Sequence, residues 1–211
     1  MSSFNEFTKS FLMMKYIKEN SNYNIVTGVE SLFEKYPSLK RFIETSDFAT
    51  APASTKYHGN YETGLLKHSV NVMNALCKFT EDNHLTWGRP ESPIIVGLFH
   101  DICKTDVYKP KKSAELQYIG DGTYEEMPVY DGFEHNNETL LKGHGDKSVM
   151  MLASLMQLTE EEVACIRYHM GAFTDKEEWN DYTRAIHKYP NVLWTHHADC
   201  YATHVMEVEN E

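Results

Sequence analysis

Residues 92–104 read SPIIVGLFHDICK and carry the strongest structural signal in this chain. Ser92 followed by Pro93 predicts a helix start, because serine caps the first turn and proline suits the first helical position. The run IIVGLF that follows is apolar on every side, which is typical of a helix at the centre of a bundle. We expect this helix to reach about Ile102 and to carry the polar pair His100-Asp101 at its buried end.

Helical patterns continue on both sides of this stretch. Apolar residues recur at three- and four-residue steps, and Thr159 followed by Glu162 has the spacing of a capping box. Residues 46–64 are rich in Ala, Thr, Pro and Gly, which predicts a loop. Besides 92–102, helices are predicted near 4–14, 29–36, 39–44, 65–79, 147–157, 159–168, 175–187 and 190–206.

One segment, residues 107–133, departs from the helical periodicity. Asp121-Gly122 lies between two stretches rich in tyrosine and aliphatic residues, which is the pattern of a β-hairpin with a tight turn. We therefore expect a mainly α fold in a single domain over residues 1–211, with a core at about 56–206 and the hairpin inserted as an arm. The arm is expected either to cover the functional site as a lid or to contact another subunit, and the sequence leaves both open.

Composition and charge narrow the class of partner. The chain has 211 residues, 41% of them hydrophobic, which is enough for a substantial core. Its formal net charge of −11 argues against a long nucleic acid, since affinity for polyanions depends on Lys and Arg. The four cysteines form no Cys-x-x-Cys pair, so a reducing, cytoplasmic location is expected. No leader sequence and no apolar run of about 20 residues is evident, so no membrane association is expected.

The histidines and one aspartate indicate a metal site. His68 lies at the border of the apolar face of its predicted helix, and Asp199 lies among small apolar residues on the last one. A carboxylate in such a setting is costly to bury unless a positive charge neutralises it. The predicted last helix contains neither Lys nor Arg after Lys188, so a metal ion held by several helices would supply that charge.

The order of these residues is similar to that of a known family. His68, then His100-Asp101, then Asp199 resembles the His, His-Asp, Asp pattern of the HD superfamily of metal-dependent phosphohydrolases. The resemblance extends over residues 56–203 and includes the strings GLLKHS at 64–69, GLFHDICK at 97–104 and ADCYAT at 198–203. It implies an HD-domain helical bundle in which these four residues hold a divalent metal.

Two further histidines extend this ligand set. His144 and His169 lie between the His-Asp pair and Asp199, where two-metal branches of the family place additional ligands. The resemblance then implies that Asp101 bridges two ions about 3.5–4 Å apart, a common arrangement for phosphate ester hydrolysis. The alternative is that His144 caps one helix and His169 interacts with the dipole of another. One or two ions of Mn, Fe, Co, Ni or Zn suit such nitrogen and oxygen ligands.

Three residues are predicted to act beside the metal. Lys104 continues the family pattern His-Asp-x-x-Lys and would bind a substrate phosphate, although a solvated lysine at a helix end is an alternative. Lys147 would face the site from the turn after His144. His58 lies in the loop before His68, a region where related sequences carry a histidine, so the resemblance implies that it contacts substrate or donates a proton. The predicted catalytic residues are thus Asp101, Lys104 and His58.

The resemblance implies hydrolysis of a phosphate ester or anhydride in a small substrate, expected to be a nucleotide. The nucleophile would be a hydroxide that the metal generates from water. A nucleotidase or phosphodiesterase is the expected activity. Two alternatives stay open: a di-iron oxygenase similar to myo-inositol oxygenase, which uses six ligands in the same order, and a nucleotide-binding sensor without turnover. Association into a homo-oligomer is also left open.

Overall fold

A computed structural model describes residues 8–55, 59–139 and 143–208. The described chain is mainly helical with one β-hairpin, which confirms the predicted mainly α class. In these ranges no helix has both the length and the apolarity needed to cross a membrane. The elements in chain order are α1 (Lys9–Asn20), α2 (Tyr23–Lys35), α3 (Pro37–Thr45), α4 (Gly64–Asp82), α5 (Ser92–Phe99), β1 (Tyr108–Gly120), β2 (Thr123–His135), α6 (Gly145–Ala153), α7 (Glu160–Arg167), α8 (Trp179–Lys188) and α9 (Asn191–Tyr201).

Helix α5 forms the centre of the bundle. Every residue of this helix is buried, and it contacts α2, α4, α7 and α9. Its apolar run has no polar face to turn toward solvent, so it is stable only when other helices cover all its sides. Gly97 lets α5 approach α4 closely, because a Cβ atom at this position would lie 2.5 Å from the Cα of Met73.

The start of α5 differs from the prediction. Glu91, not Ser92, occupies the N-cap, and Ser92 is the first helical residue. Ser92 already has helical backbone geometry, so its side chain is not placed to cap the first turn, and its buried hydroxyl donates instead to Glu162 Oε1 at 2.8 Å. Glu162 also receives two hydrogen bonds at 2.7 Å from the Arg89 guanidinium. The serine is therefore part of a buried polar network between α5 and α7.

Other helix boundaries also depend on local capping. Thr159 and Glu162 form the predicted capping box at the start of α7. Helix α2 begins earlier than expected, because the Asn22 side chain accepts from the Ile25 amide and caps it. The prediction for α5 was too long: it ends at Phe99 and is followed by a 3₁₀ turn at Ile102–Lys104. Similarly, α6 ends at Ala153 rather than near residue 157.

The predicted hairpin is present as β1 and β2. The two strands pair in antiparallel register, with Tyr118 opposite Tyr124, and the turn contains Asp121 and Gly122, both with positive φ. The outer part of the arm exposes large apolar side chains, while at its base the rings of Tyr108 and His135 lie 5.1 Å apart. Whether the arm acts as a lid or as a subunit contact stays a prediction.

Replacement of Gly97 with alanine should destabilise the protein. The added methyl group would meet the backbone of α4, which cannot move aside as a flexible side chain can. We expect a loss of about 1–3 kcal/mol in the free energy of unfolding, despite the higher helix propensity of alanine. Urea denaturation measures this, with Gly88→Ala as the control, since its Cβ would meet only a carboxylate oxygen of Glu161 at 3.4 Å. Equal midpoints for the two variants would contradict the close packing.

Candidate metal centre

The six predicted metal ligands converge inside the bundle from separate parts of the chain. His68 comes from α4, and His100 and Asp101 directly follow α5. Asp101 has left the helical conformation, with φ −105° and ψ 19°, which turns its side chain toward the same space as that of His100. The remaining three lie on or beside the last helices, His144 before α6, His169 after α7 and Asp199 within α9.

One group of contacts surrounds the Oδ2 atom of Asp101. This oxygen lies 3.6 Å from His68 Nε2 and 3.5 Å from His100 Nε2. The two imidazole nitrogens are 3.3 Å apart. Asp199 Oδ1 lies 3.2 Å from His68 Nε2 and 4.0 Å from His100 Nε2. These four side chains are therefore arranged around a common space.

A second group surrounds the other oxygen of the same carboxylate. Asp101 Oδ1 lies 2.7 Å from His144 Nε2 and 3.5 Å from His169 Nε2. Asp101 thus contacts one pair of histidines through each of its oxygens. Cys103, which the sequence analysis did not single out, lies beside this group with its Sγ 3.6 Å from His144 Nδ1. Its position two residues after Asp101 was the signal available in the sequence.

Backbone carbonyls orient two of the histidine rings. His100 Nδ1 lies 2.9 Å from the Gly97 carbonyl oxygen, and His169 Nδ1 lies 2.7 Å from that of Ile166. A carbonyl oxygen can only accept, so Nδ1 carries the proton in both rings. The unprotonated Nε2 then faces the cluster with its lone pair, as a metal ligand requires.

Two buried polar atoms at the centre have no standard hydrogen bond within the described part of the chain. Asp101 Oδ1 and His169 Nε2 find no hydrogen-bond partner among the described residues, although buried polar atoms normally have one. His144 Nε2 lies 2.7 Å from Asp101 Oδ1 and supplies positive charge to it when protonated, whereas His169 Nε2 is 3.5 Å from the same oxygen. Four imidazoles and two carboxylates in this space are suitable ligands for a divalent transition metal, and the six residues lie close enough to hold one.

The charges in the cluster depend strongly on each other. Burial opposes ionisation of Asp101, but the positive charges of Lys104 and His144 outweigh it and hold its pKa well below the usual range. Burial likewise opposes protonation of His68, yet hydrogen bonds to Asp199 and Glu207 raise its pKa to about 9. For His144 the Asp101 carboxylate outweighs burial and raises the pKa to about 10. Without a metal, protons on these two imidazoles balance the carboxylates.

The three residues predicted to act beside the metal have different positions. Lys104 is largely buried, and its ammonium lies 2.6 Å from Asp101 Oδ2, so it is not an ordinary solvated lysine. Lys147 is buried in the first turn of α6. His58 lies outside the described residues. The substrate-binding roles of all three stay predictions.

Comparisons of this chain with protein-family models, with curated proteins and with solved structures found no match. The HD-superfamily resemblance therefore continues to depend on the sequence motifs alone.

Replacing Asp101 with asparagine should abolish tight binding of divalent metal. The change removes the one carboxylate that contacts both histidine pairs, and it leaves an amide nitrogen that cannot coordinate. After equilibration with Mn²⁺, Co²⁺ or Zn²⁺, the metal content should fall from one or two ions per chain to a small fraction of an ion per chain. Asp106→Asn, at an exposed position five residues away, is the control and should retain full loading. Full loading of the Asp101 variant would contradict this assignment.

Metal affinity should increase with pH. His68 and His144 have raised pKa values of about 9 and about 10, so both are protonated at pH 7 in the metal-free chain, and a metal must displace those protons. We expect the apparent association constant for Zn²⁺ to rise about tenfold per pH unit for each proton released, between pH 6 and 8. Calorimetry in two buffers of different ionisation enthalpy measures the number of protons. Affinity independent of pH would exclude this exchange.

Proposed function

We propose that this protein is a metal-dependent phosphohydrolase of the HD-domain type. Its substrate would be a nucleotide or a similar small molecule, in which it cleaves a phosphate ester or anhydride. The observation that carries the proposal is the position of Asp101. Each oxygen of this buried carboxylate contacts a different pair of histidines, and the Lys104 ammonium lies beside it. This is the residue set that a bridged metal centre with an adjacent phosphate-binding cation requires.

A divalent metal bound here would supply a low-pKa water as nucleophile and would polarise the phosphoryl oxygens. The protein contributes orientation and charge. His100 and His169 are held by backbone carbonyls, so their Nε2 atoms are positioned before any ligand binds. Lys104 places a permanent positive charge at the carboxylate, where it can stabilise the negative charge that develops on a transferring phosphoryl group.

The exposed side of the cluster indicates where substrate enters. His144 and Asp199 are partly exposed, whereas His68, His100 and His169 are buried. Tyr108, the first residue of β1, is close enough to Lys104 and Asp101 for their charges to act on its pKa, so the base of the hairpin arm lies near these two residues. A cavity of about 470 Å³ borders the base of the arm, and its lining includes Asp47, Glu62, Tyr108 and Phe133 but none of the six predicted ligands.

The net charge of −11 supports a small substrate over a long nucleic acid, because repulsion from the whole surface acts on each phosphate of a polymer. The predicted role of His58, contact with substrate or donation of a proton to the leaving group, belongs to the same proposal.

The test is a screen of the Mn-, Co- and Ni-loaded protein with phosphomonoesters, cyclic nucleotides and nucleoside triphosphates, followed by Lys104→Met. We expect phosphate or nucleotide release, and a decrease in kcat/KM of about 10²-fold or more in the variant, as for loss of one transition-state donor. Lys78→Met is the control, since Lys78 is exposed on α4 and pairs with Asp82.

Other outcomes would exclude the proposal. Oxygen consumption by the iron-loaded, reduced protein with a polyol or phosphonate, without hydrolysis, would identify an oxygenase. Nucleotide binding with no product from fully metal-loaded protein would identify a sensor. A Lys104 variant with unchanged kcat/KM would remove this lysine from the mechanism.

A further inference from the structure

A carboxylate from the C-terminal part of the chain contacts the far side of a predicted metal ligand. Glu207 follows the π-helical turn Ala202–Met206, which continues from α9. Its Oε1 and Oε2 atoms lie 3.2 and 3.4 Å from His68 Nδ1, and its side chain is only 5% exposed. The contact joins residues 139 positions apart in the sequence.

Two features hold this carboxylate in place. Asn71, one turn after His68 on the same face of α4, donates from Nδ2 to Glu207 Oε1 at 3.0 Å. The Glu207 amide donates to the Ala202 carbonyl at 3.0 Å, which closes the π turn and directs the side chain back toward α4. Wide turns of this type inside or after α-helices often occur at functional sites.

The contact determines the orientation of the His68 ring in the metal-binding state. An ionised carboxylate only accepts hydrogen bonds, so Nδ1 of His68 carries the proton and Nε2 presents its lone pair toward Asp101 and Asp199. His100 and His169 obtain the same orientation from neutral backbone carbonyls. His68 instead receives a charged acceptor, which makes its Nε2 a stronger electron donor to a cation.

We propose that Glu207 is a positioning residue of the metal centre, which fixes His68 as a ligand and couples the C-terminal turn to metal affinity. The proposal rests on the metal centre and not on phosphohydrolase activity. A change at Glu207 should therefore alter metal binding whether or not a substrate is known.

The test compares Co²⁺ binding by the full-length wild type, Glu207→Ala and Glu207→Gln. We expect Glu207→Ala to weaken Co²⁺ binding by about 10- to 100-fold and to shift the visible absorption bands of the bound ion, because loss of such an acceptor changes ligand basicity. Glu207→Gln should retain part of the affinity, since its amide oxygen still accepts from Nδ1 but carries no charge. Asn71→Ala should give a smaller loss, because the carboxylate is present but less restrained.

Glu81→Ala, at an exposed position on α4, is the matched control and should bind Co²⁺ as the wild type does. Thermal denaturation of each metal-free variant separates folding from metal binding. If Glu207→Ala is folded and binds Co²⁺ with unchanged affinity and spectrum, the proposal is wrong. If the wild type binds Co²⁺, Glu207→Ala binds it more weakly and neither protein hydrolyses any substrate, the positioning role of Glu207 stands and the proposed activity fails.

Discussion

The burial of one negative charge imposes the main constraint on this structure. Asp101 is 2% exposed at the end of α5, the most apolar helix of the bundle, and an isolated carboxylate in such a place costs several kcal/mol. The chain compensates with Lys104 on one oxygen and His144 on the other. Removing this charge would leave the Lys104 ammonium and the His144 imidazolium without the carboxylate that both contact, so the arrangement around Asp101 depends on that carboxylate.

The ends of helices provide the geometry of the centre. His100 and His169 each use Nδ1 to contact the carbonyl three residues earlier, at the point where a helix leaves carbonyl groups without intrahelical partners. The same hydrogen bond satisfies the helix end and orients the ring. His196 adds a further restraint, since its Nδ1 lies 2.9 Å from the His169 carbonyl oxygen. At these positions one contact therefore both satisfies the helix end and orients a candidate metal ligand.

Sequence patterns predicted elements whose physical cause is local. The Thr159–Glu162 capping box and the Asp121-Gly122 turn involve neighbouring residues, and both are present. The apolar run of α5 likewise predicted a fully buried helix. The predicted cap at Ser92 was wrong because the helix begins one residue earlier than expected, at Ser92 itself, whose hydroxyl donates to Glu162, 70 residues away. The start of α2 was also missed, because the Asn22 cap is a local signal that the apolar pattern does not contain.

The same distinction holds for the centre itself. The order of histidines and aspartates along the chain, through its resemblance to the HD superfamily, was enough to nominate six candidate ligands. Their division between the two oxygens of Asp101, the pairing of Lys104 with that carboxylate and the contact of Glu207 with His68 could not be read from spacing. Those contacts exist because helix packing brings remote segments within 4 Å, and packing depends on the shapes of all the helices together.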